Sequence, residues 1–197
     1  MIAQSRKEEI RWRALQTLDQ VRPEKLSRAL LRRTLSDRFA LSTTVDELKT
    51  ELDYLEGKGF VQPGTLNTYA LTADGVDIIE GSIEPPVGIT GIESPSDLAL
   101  SRRREIRWRC LKVLDAGRPV SVAKSLVLSV LNDQALTLVQ TELEREINYL
   151  RDRGFLADDG DRPGLLLKLT PRGVDLVEYK IDCPASIGRP PAYDKEY

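Results

Sequence analysis

The sequence contains no histidine, the residue that most often acts as a general base or binds a metal ion. Its two cysteines, Cys110 and Cys183, are too few for a disulfide framework or a zinc cluster, and they indicate free thiols in a reducing compartment. No run of 18 apolar residues occurs, and the charged N-terminus does not resemble a signal peptide. We therefore expect a cytoplasmic protein that spans no membrane and uses no metal or cofactor.

The charge balance excludes a strongly basic nucleic-acid binder at the level of the whole chain. The net charge is −2, so only a local basic face could meet DNA. The sequence also lacks a glycine-rich phosphate loop and paired carboxylates at a repeated position. We therefore expect no enzymatic activity.

The strongest feature of the sequence is an internal repeat. Residues 10–15, Ile-Arg-Trp-Arg-Ala-Leu, recur as Ile-Arg-Trp-Arg-Cys-Leu at residues 106–111. Further matches follow along the chain, with small changes of offset that are typical of loops. The repeat predicts two domains, residues 1–95 and residues 96–197.

The repeat continues beyond the last predicted helix of each copy. Residues 83–86 match residues 181–184, although the second segment ends the chain. We therefore predict that residues 81–95 and residues 181–197 form an extended strap packed on their own copy. The alternative is a plain linker followed by a frayed tail.

The apolar pattern predicts the same elements twice. In the first copy we expect helices over residues 5–20 and 24–36, and a third helix that starts near residue 42 with Thr44 and Glu47 as a capping box. Its buried face is expected to carry Val45, Leu48, Leu52 and Leu55. A β-hairpin and a last helix follow. The predicted class is α+β and mainly helical, with three helices, a hairpin and a C-terminal helix in each copy.

Two sets of motifs in this pattern resemble known proteins. The motif Leu-Asp-Tyr-Leu-x-x-x-Gly-Phe at 52–60, followed by a hairpin and Leu-Thr-x-x-Gly at 71–75, resembles the third helix and wing of winged-helix transcription regulators. The motifs Glu-Ile-Arg-Trp-Arg at 9–13 and 105–109 and Ile-Gly-Arg-Pro-Pro at 187–191 are similar to small winged-helix proteins of Mu-like phages and prophages. The resemblance implies two tandem winged helices and a phage or prophage setting.

In a helix-turn-helix protein the third helix enters the major groove, so its outward residues are the first candidates for DNA contact. The second copy is the better suited, because five acids lie between residues 46 and 58 of the first copy. Its predicted outward residues include Thr141, Arg145, Asn148 and Tyr149. The other candidate DNA contacts are Arg102, Arg103, Arg104 and Arg162.

A second basic cluster surrounds the second helix of the first copy only. It consists of Arg22, Lys25, Arg28, Arg32 and Arg33. These residues could contact phosphates. The alternative, which the many nearby acids favour, is that they form salt bridges within the protein.

Each copy carries one tryptophan on its first helix, away from the apolar stripe. We predict that Trp12 and Trp108 line a pseudo-twofold interface between the copies, as in a fused dimer. The alternative is that each tryptophan folds over the edge of its own core. Association of whole chains into a homodimer also stays open.

These observations predict a DNA-binding or DNA-associated protein whose partner is duplex DNA. It would act as a transcriptional regulator or as an accessory of phage DNA packaging or assembly. The alternative is a protein-interaction adaptor that keeps the winged-helix fold without groove binding. The acidic third helix of the first copy supports that alternative.

Overall fold

The computed structural model describes residues 2–89, 95–160 and 164–192. The chain divides into two compact units, Met1–Pro95 and Ser96–Tyr197, called unit 1 and unit 2 below. The part of the chain that is described contains eight α-helices and two small antiparallel sheets of three strands each. The predicted α+β, mainly helical class is confirmed.

Unit 1 packs its helices around a sheet with the strand order β1-β3-β2. Val61 pairs with Leu71 across the hairpin, and Leu26 pairs with Tyr69 at the other side of β3. A short 3-10 turn, Thr65–Asn67, joins β2 to β3. The elements are α1 (Ile2–Val21), β1 (Leu26–Ser27), α2 (Arg28–Phe39), α3 (Val45–Gly57), β2 (Val61–Pro63), β3 (Thr68–Leu71) and α4 (Ala73–Ile79).

Unit 2 repeats this order of elements. Its sheet has the order β4-β6-β5, so the short strand before the second helix again lies beside the last strand. The elements are α5 (Asp97–Ala116), β4 (Val122–Ala123), α6 (Lys124–Asp133), α7 (Gln140–Asp152), β5 (Leu156–Asp158), β6 (Leu166–Leu169) and α8 (Pro171–Val177).

The third helix of unit 1 follows its sequence pattern closely. Leu48, Leu52 and Leu55 are fully buried, because their spacing places them on one face of the helix. The predicted capping box is confirmed: Thr44 Oγ1 accepts a hydrogen bond from the Glu47 N–H, and Glu47 reaches back to the Thr44 N–H. The burial predicted for Val45 is wrong. Its side chain is 48% exposed, since it belongs to the first turn, outside the core.

The second helix begins later than predicted, and the strands before it were not predicted. Residues 24–27 are not helical: α2 starts at Arg28 after Ser27, whose hydroxyl caps it. β1 and β4 have two residues each, which is too short for a period-two pattern to be visible in a sequence. They are defined by pairing with β3 and β6, far along the chain.

The first turn of the last helix contacts the hairpin through a glycine in both units. A Cβ atom at Gly75 would lie 2.2 Å from the Phe60 carbonyl oxygen, and one at Gly173 would lie 1.9 Å from the Phe155 carbonyl oxygen. Neither neighbour is a flexible side chain, so no side chain larger than hydrogen fits at these positions. The repeated Leu-Thr-x-x-Gly motif therefore reflects close backbone packing.

We predict that Gly75→Ala lowers the free energy of unfolding by about 1–3 kcal/mol, because the new methyl group overpacks against the Phe60 carbonyl. Gly57→Ala is the matched control, since a Cβ there meets no described atom within 4 Å and alanine favours the helix. Urea denaturation of both variants checks this. Equal stability of the two variants would contradict the close packing.

Candidate nucleic-acid interface

A groove lies at the same corner of each unit, where the second helix, the third helix and the hairpin meet. The unit 1 groove has a volume of about 220 Å³, and the unit 2 groove has a volume of about 800 Å³. The unit 1 groove is lined by residues that include Arg28, Arg32, Val45, Leu66 and Asn67. The unit 2 groove is lined by residues that include Lys124, Leu128, Gln140, Leu143, Asp159 and Leu165.

Three cations that have no ion-pair partner among the described residues lie in the unit 1 groove or beside its hairpin. Arg28 and Arg32 line the groove one turn apart on α2, and Lys25 lies beside the hairpin at Gly64. None of the three has an ion-pair or hydrogen-bond partner among the described residues. Lys49 also lies close enough to Arg28 for their charges to repel. This concentration of cations favours an anionic partner.

This arrangement differs from the expectation that the cluster around α2 is held in salt bridges. Two members do form such bridges: Arg22 with Asp19, and Arg33 with Asp37. Arg28 does not, because α2 starts at residue 28. Glu24 would lie one turn before Arg28 in the longer predicted helix, but it lies outside the observed one.

Most acids of α3 are already neutralised within the protein. Glu47 pairs with Arg6 at 2.9 Å, and Lys49 pairs with Asp53 at 2.6 Å. The hydrogen bond from Arg6 holds the pKa of Glu47 below its usual value. Glu51 is buried beside Arg11. Three of the five acids that argued against a DNA contact by unit 1 are therefore paired, whereas Asp46 and Glu56 stay exposed.

The unit 2 groove is neutral and apolar by comparison. Lys124, which occupies the position of Arg28, forms an ion pair with Glu144. Hydrogen bonds from Gln140, the larger effect, and from Lys124 lower the pKa of the Glu144 carboxyl. Leu128 replaces Arg32. Asp159 accepts hydrogen bonds from Lys168 and Ser121, which lower its pKa. The polar groups at the rim therefore satisfy one another.

The predicted DNA-contact residues on α7, the third helix of unit 2, differ in their exposure. Thr141 is exposed, whereas Arg145 and Asn148 are half-buried. Asn148 accepts a hydrogen bond from Arg151, which also bridges to Asp158.

The outward direction predicted for Tyr149 is wrong. Its side chain is only 1% exposed and lies beneath the guanidinium of Arg107, whose central carbon is 3.7 Å above the ring. Its hydroxyl shares a hydrogen bond with Ser186. A helical wheel places Tyr149 between polar residues on the outer face of α7. The wheel does not include the segment after α8, which contains Ser186 and covers the tyrosine.

Of the predicted arginine contacts, Arg102 is held by the protein itself. It bonds to Glu142 at 2.7 Å and to the Thr137 carbonyl, as Arg6 bonds to Glu47 and to the Ser42 carbonyl in unit 1. Arg102 therefore repeats a structural link between the first and third helices.

The other predicted arginine contacts are Arg103 and Arg104, which do not line the unit 2 groove, and Arg162. Arg103 and Arg104 are half-buried on α5, and the backbone carbonyl of Arg104 accepts a hydrogen bond from Gly188. Arg162 lies outside the described residues.

A buried arginine joins three parts of each unit. In unit 1, Arg11 Nε donates to Glu51 Oε2 at 2.6 Å, and Arg11 Nη1 donates to the Gly88 carbonyl at 2.9 Å. Tyr54 lies under the guanidinium at 3.6 Å, and its hydroxyl donates to the Val87 carbonyl. The arginine therefore ties the first helix, the third helix and the segment after α4 together.

Unit 2 repeats this arrangement in a more buried form. Arg107 is 0% exposed and donates to Glu146 at 2.5 Å and to the Ser186 carbonyl at 2.9 Å. Ile187 is buried, as is Ile89 at the matching position in unit 1. The described parts of the two predicted straps therefore lie against their own units.

The two tryptophans differ in their surroundings. Trp12 is 2% exposed, and its indole N–H has no hydrogen-bond partner among the described residues. Trp108 is half-buried and packs edge to face on Tyr179 of the same unit, with ring centroids 6.2 Å apart. The predicted tryptophan interface between the copies stays a prediction.

The described residues contain no group of three or more potential metal ligands. Burial raises the pKa of Cys110 to about 12, so this thiol stays protonated. Among the helices that are described, none has both the length and the apolar character to cross a bilayer.

No protein-family model matches this sequence, and no curated protein matches it either. The resemblance to winged-helix regulators and to phage proteins therefore rests on the motifs described above.

We predict that Arg107→Leu destabilises unit 2 by about 3–5 kcal/mol, because it leaves the Glu146 carboxylate buried and unpaired. Lys112→Leu, which breaks the exposed pair with Asp115 on the same helix, should change stability little. Urea denaturation followed by Trp108 fluorescence in a Trp12→Phe background measures both. The double variant Arg107→Leu, Glu146→Leu should be more stable than Arg107→Leu alone. A single variant as stable as wild type would contradict the role of the pair.

Proposed function

We propose that the chain is a DNA-associated protein made of two winged-helix units, and that unit 1 contacts the phosphate backbone of duplex DNA. Each unit has three helices, a hairpin and a last helix, in the order found in a winged helix. The phage resemblance favours a regulator or an accessory of DNA packaging or assembly. The proposal requires no catalysis, metal or cofactor.

The observation that carries this proposal is the unpaired cluster of Lys25, Arg28 and Arg32. In a winged helix, the second helix, the start of the third helix and the hairpin face the DNA, and these are the elements that border the unit 1 groove. Arginine and lysine side chains in this position meet phosphates, which fix the protein on the duplex without reading sequence. Because these cations have no ion-pair or hydrogen-bond partner in the described part of the chain, no described ion pair must break before they bind.

The cluster also explains how an acidic protein could bind DNA. The whole chain has a net charge of −2, yet most of its other acids near the third helices are paired internally. Close to the unit 1 groove, the three cations outnumber the exposed carboxylate of Asp46, and salt screens more distant surface charges.

A second candidate function is favoured by a different observation. The unit 2 groove is apolar, has a volume of about 800 Å³ and is bordered by the exposed side chains of Leu165 and Leu166. Such a surface suits a protein segment better than phosphates. An adaptor that binds only proteins would keep this groove and would show no DNA affinity at low salt.

We predict that changing Lys25, Arg28 and Arg32 together to glutamine weakens binding to duplex DNA uniformly across sequences. The slope of log Kobs against log salt should fall in magnitude by about 1–3, since each lost phosphate contact removes about 0.9. Fluorescence anisotropy at several salt concentrations measures the slope. Arg33→Gln is the matched control, because Arg33 is exposed on the same helix but paired with Asp37. Wild-type binding that survives the triple change with the same slope would contradict the proposal.

We also predict that Arg145→Ala in unit 2 weakens DNA binding less than the triple change in unit 1. Arg145 is a single half-buried cation, whereas unit 1 offers Arg28 and Arg32 in its groove and Lys25 beside its hairpin. The same anisotropy titration compares the two variants. A larger loss from Arg145→Ala would place the main DNA contact on α7.

A further inference from the structure

The hairpin of unit 1 carries a leucine that projects from the protein surface. Leu66 lies in the 3-10 turn between β2 and β3, and its side chain is 90% exposed. Its backbone is left-handed, with φ of 57° and ψ of 37°. This conformation is unfavourable for leucine, because its Cβ lies too close to the following carbonyl oxygen. Backbone strain of this kind is concentrated at sites that contact a ligand.

Hydrogen bonds hold the turn around this leucine in place. The Gly64 N–H donates to the Thr68 carbonyl at 2.7 Å, and the Thr68 hydroxyl donates to the Thr65 carbonyl at 2.7 Å. The Thr68 N–H donates to the same Thr65 carbonyl. Because the backbone on both sides of Leu66 is fixed, the leucine is held in its exposed position before a partner arrives. Such preorganisation lowers the entropy cost of binding.

The position of this leucine connects it to the proposed DNA contact. Leu66 lines the same groove as Arg28 and Arg32. Lys25 lies beside the same hairpin, at Gly64. When these cations hold the phosphates of a duplex, the hairpin tip lies against the same stretch of DNA. An aliphatic side chain forms no bond with a phosphate, but it gains free energy by leaving water, and the bases are the apolar surface that a duplex offers.

We propose that Leu66 inserts between two base pairs and partly unstacks them, so that unit 1 bends the DNA to which it binds. Proteins that bend DNA frequently insert apolar side chains between base steps, and the bend brings more DNA against the protein. Selectivity then comes from the deformability of the DNA, since easily unstacked steps cost less to bend. This inference rests on the proposed function and adds what the unit 1 contact does to the duplex.

The test compares two short duplexes of equal length, one fully paired and one with a mismatched central step. Energy transfer between dyes at the two ends measures bending, and fluorescence anisotropy measures affinity. We expect the full chain to bring the ends of the paired duplex closer together. We also expect it to bind the mismatched duplex about tenfold more tightly, because a mismatched step costs less to unstack.

The decisive variant is Leu66→Gly, which removes the side chain and suits the left-handed backbone. It should lose both the bend and the preference for the mismatched duplex. The slope of log Kobs against log salt should stay that of the wild type, because the three cations are unchanged. Val87→Ala is the matched control and should bend DNA like the wild type, since Val87 is 97% exposed in unit 1 and is not among the residues that line the groove.

The outcomes separate this inference from the proposed function. A wild type that binds the paired duplex without bending it would overturn the inference and leave the phosphate contact intact. A Leu66→Gly variant that bends DNA and prefers the mismatched duplex as the wild type does would also overturn it, and would assign the leucine to a contact other than DNA. A wild type that binds neither duplex at low salt would overturn the proposed function together with this inference.

Discussion

The ion pair between the first and third helices is the interaction on which each unit depends. Placing an arginine and a glutamate in the interior is costly unless every polar atom finds a partner. Arg107 meets this condition with the Glu146 carboxylate, the Ser186 carbonyl and the face of Tyr149. Arg11 does the same in unit 1. The third partner of each arginine comes from the segment after the last helix, so that segment is part of the unit.

The two units keep this internal scaffold and differ at the groove. The paired arginines, the glycines that contact the hairpin and the strand order are the same in both. At the groove, Lys25 corresponds to Ser121 and Arg32 to Leu128. One groove is therefore small and cationic, and the other is large and apolar. The two units therefore present different surfaces at this corner.

The sequence was sufficient to predict the elements that depend on local patterns. The capping box at Thr44, the leucine face of α3 and the last helix after Thr72 follow from spacing and side-chain chemistry. Two-residue strands and the start of α2 were not predictable in this way, because they depend on pairing with distant residues.

The site was less predictable than the fold, because burial of charged and aromatic residues depends on contacts far along the chain. Arg107 and Ser186 are 79 residues apart, so a helical wheel assigns Arg107 and Tyr149 to the surface. The acids of the third helices also pair with distant residues: Glu47 pairs with Arg6, and Glu146 pairs with Arg107. For this reason the sequence favoured unit 2 as the DNA-contacting copy, whereas the pattern of unpaired charge favours unit 1.

The most direct test of this account is an amide NMR titration of the full chain with a short duplex DNA. Binding through the cationic groove predicts that the shifts change at residues 25–32, at the start of α3 and at the hairpin of unit 1, while α7 of unit 2 is unaffected. Shift changes confined to residues 140–152, or no change at low salt, would contradict it.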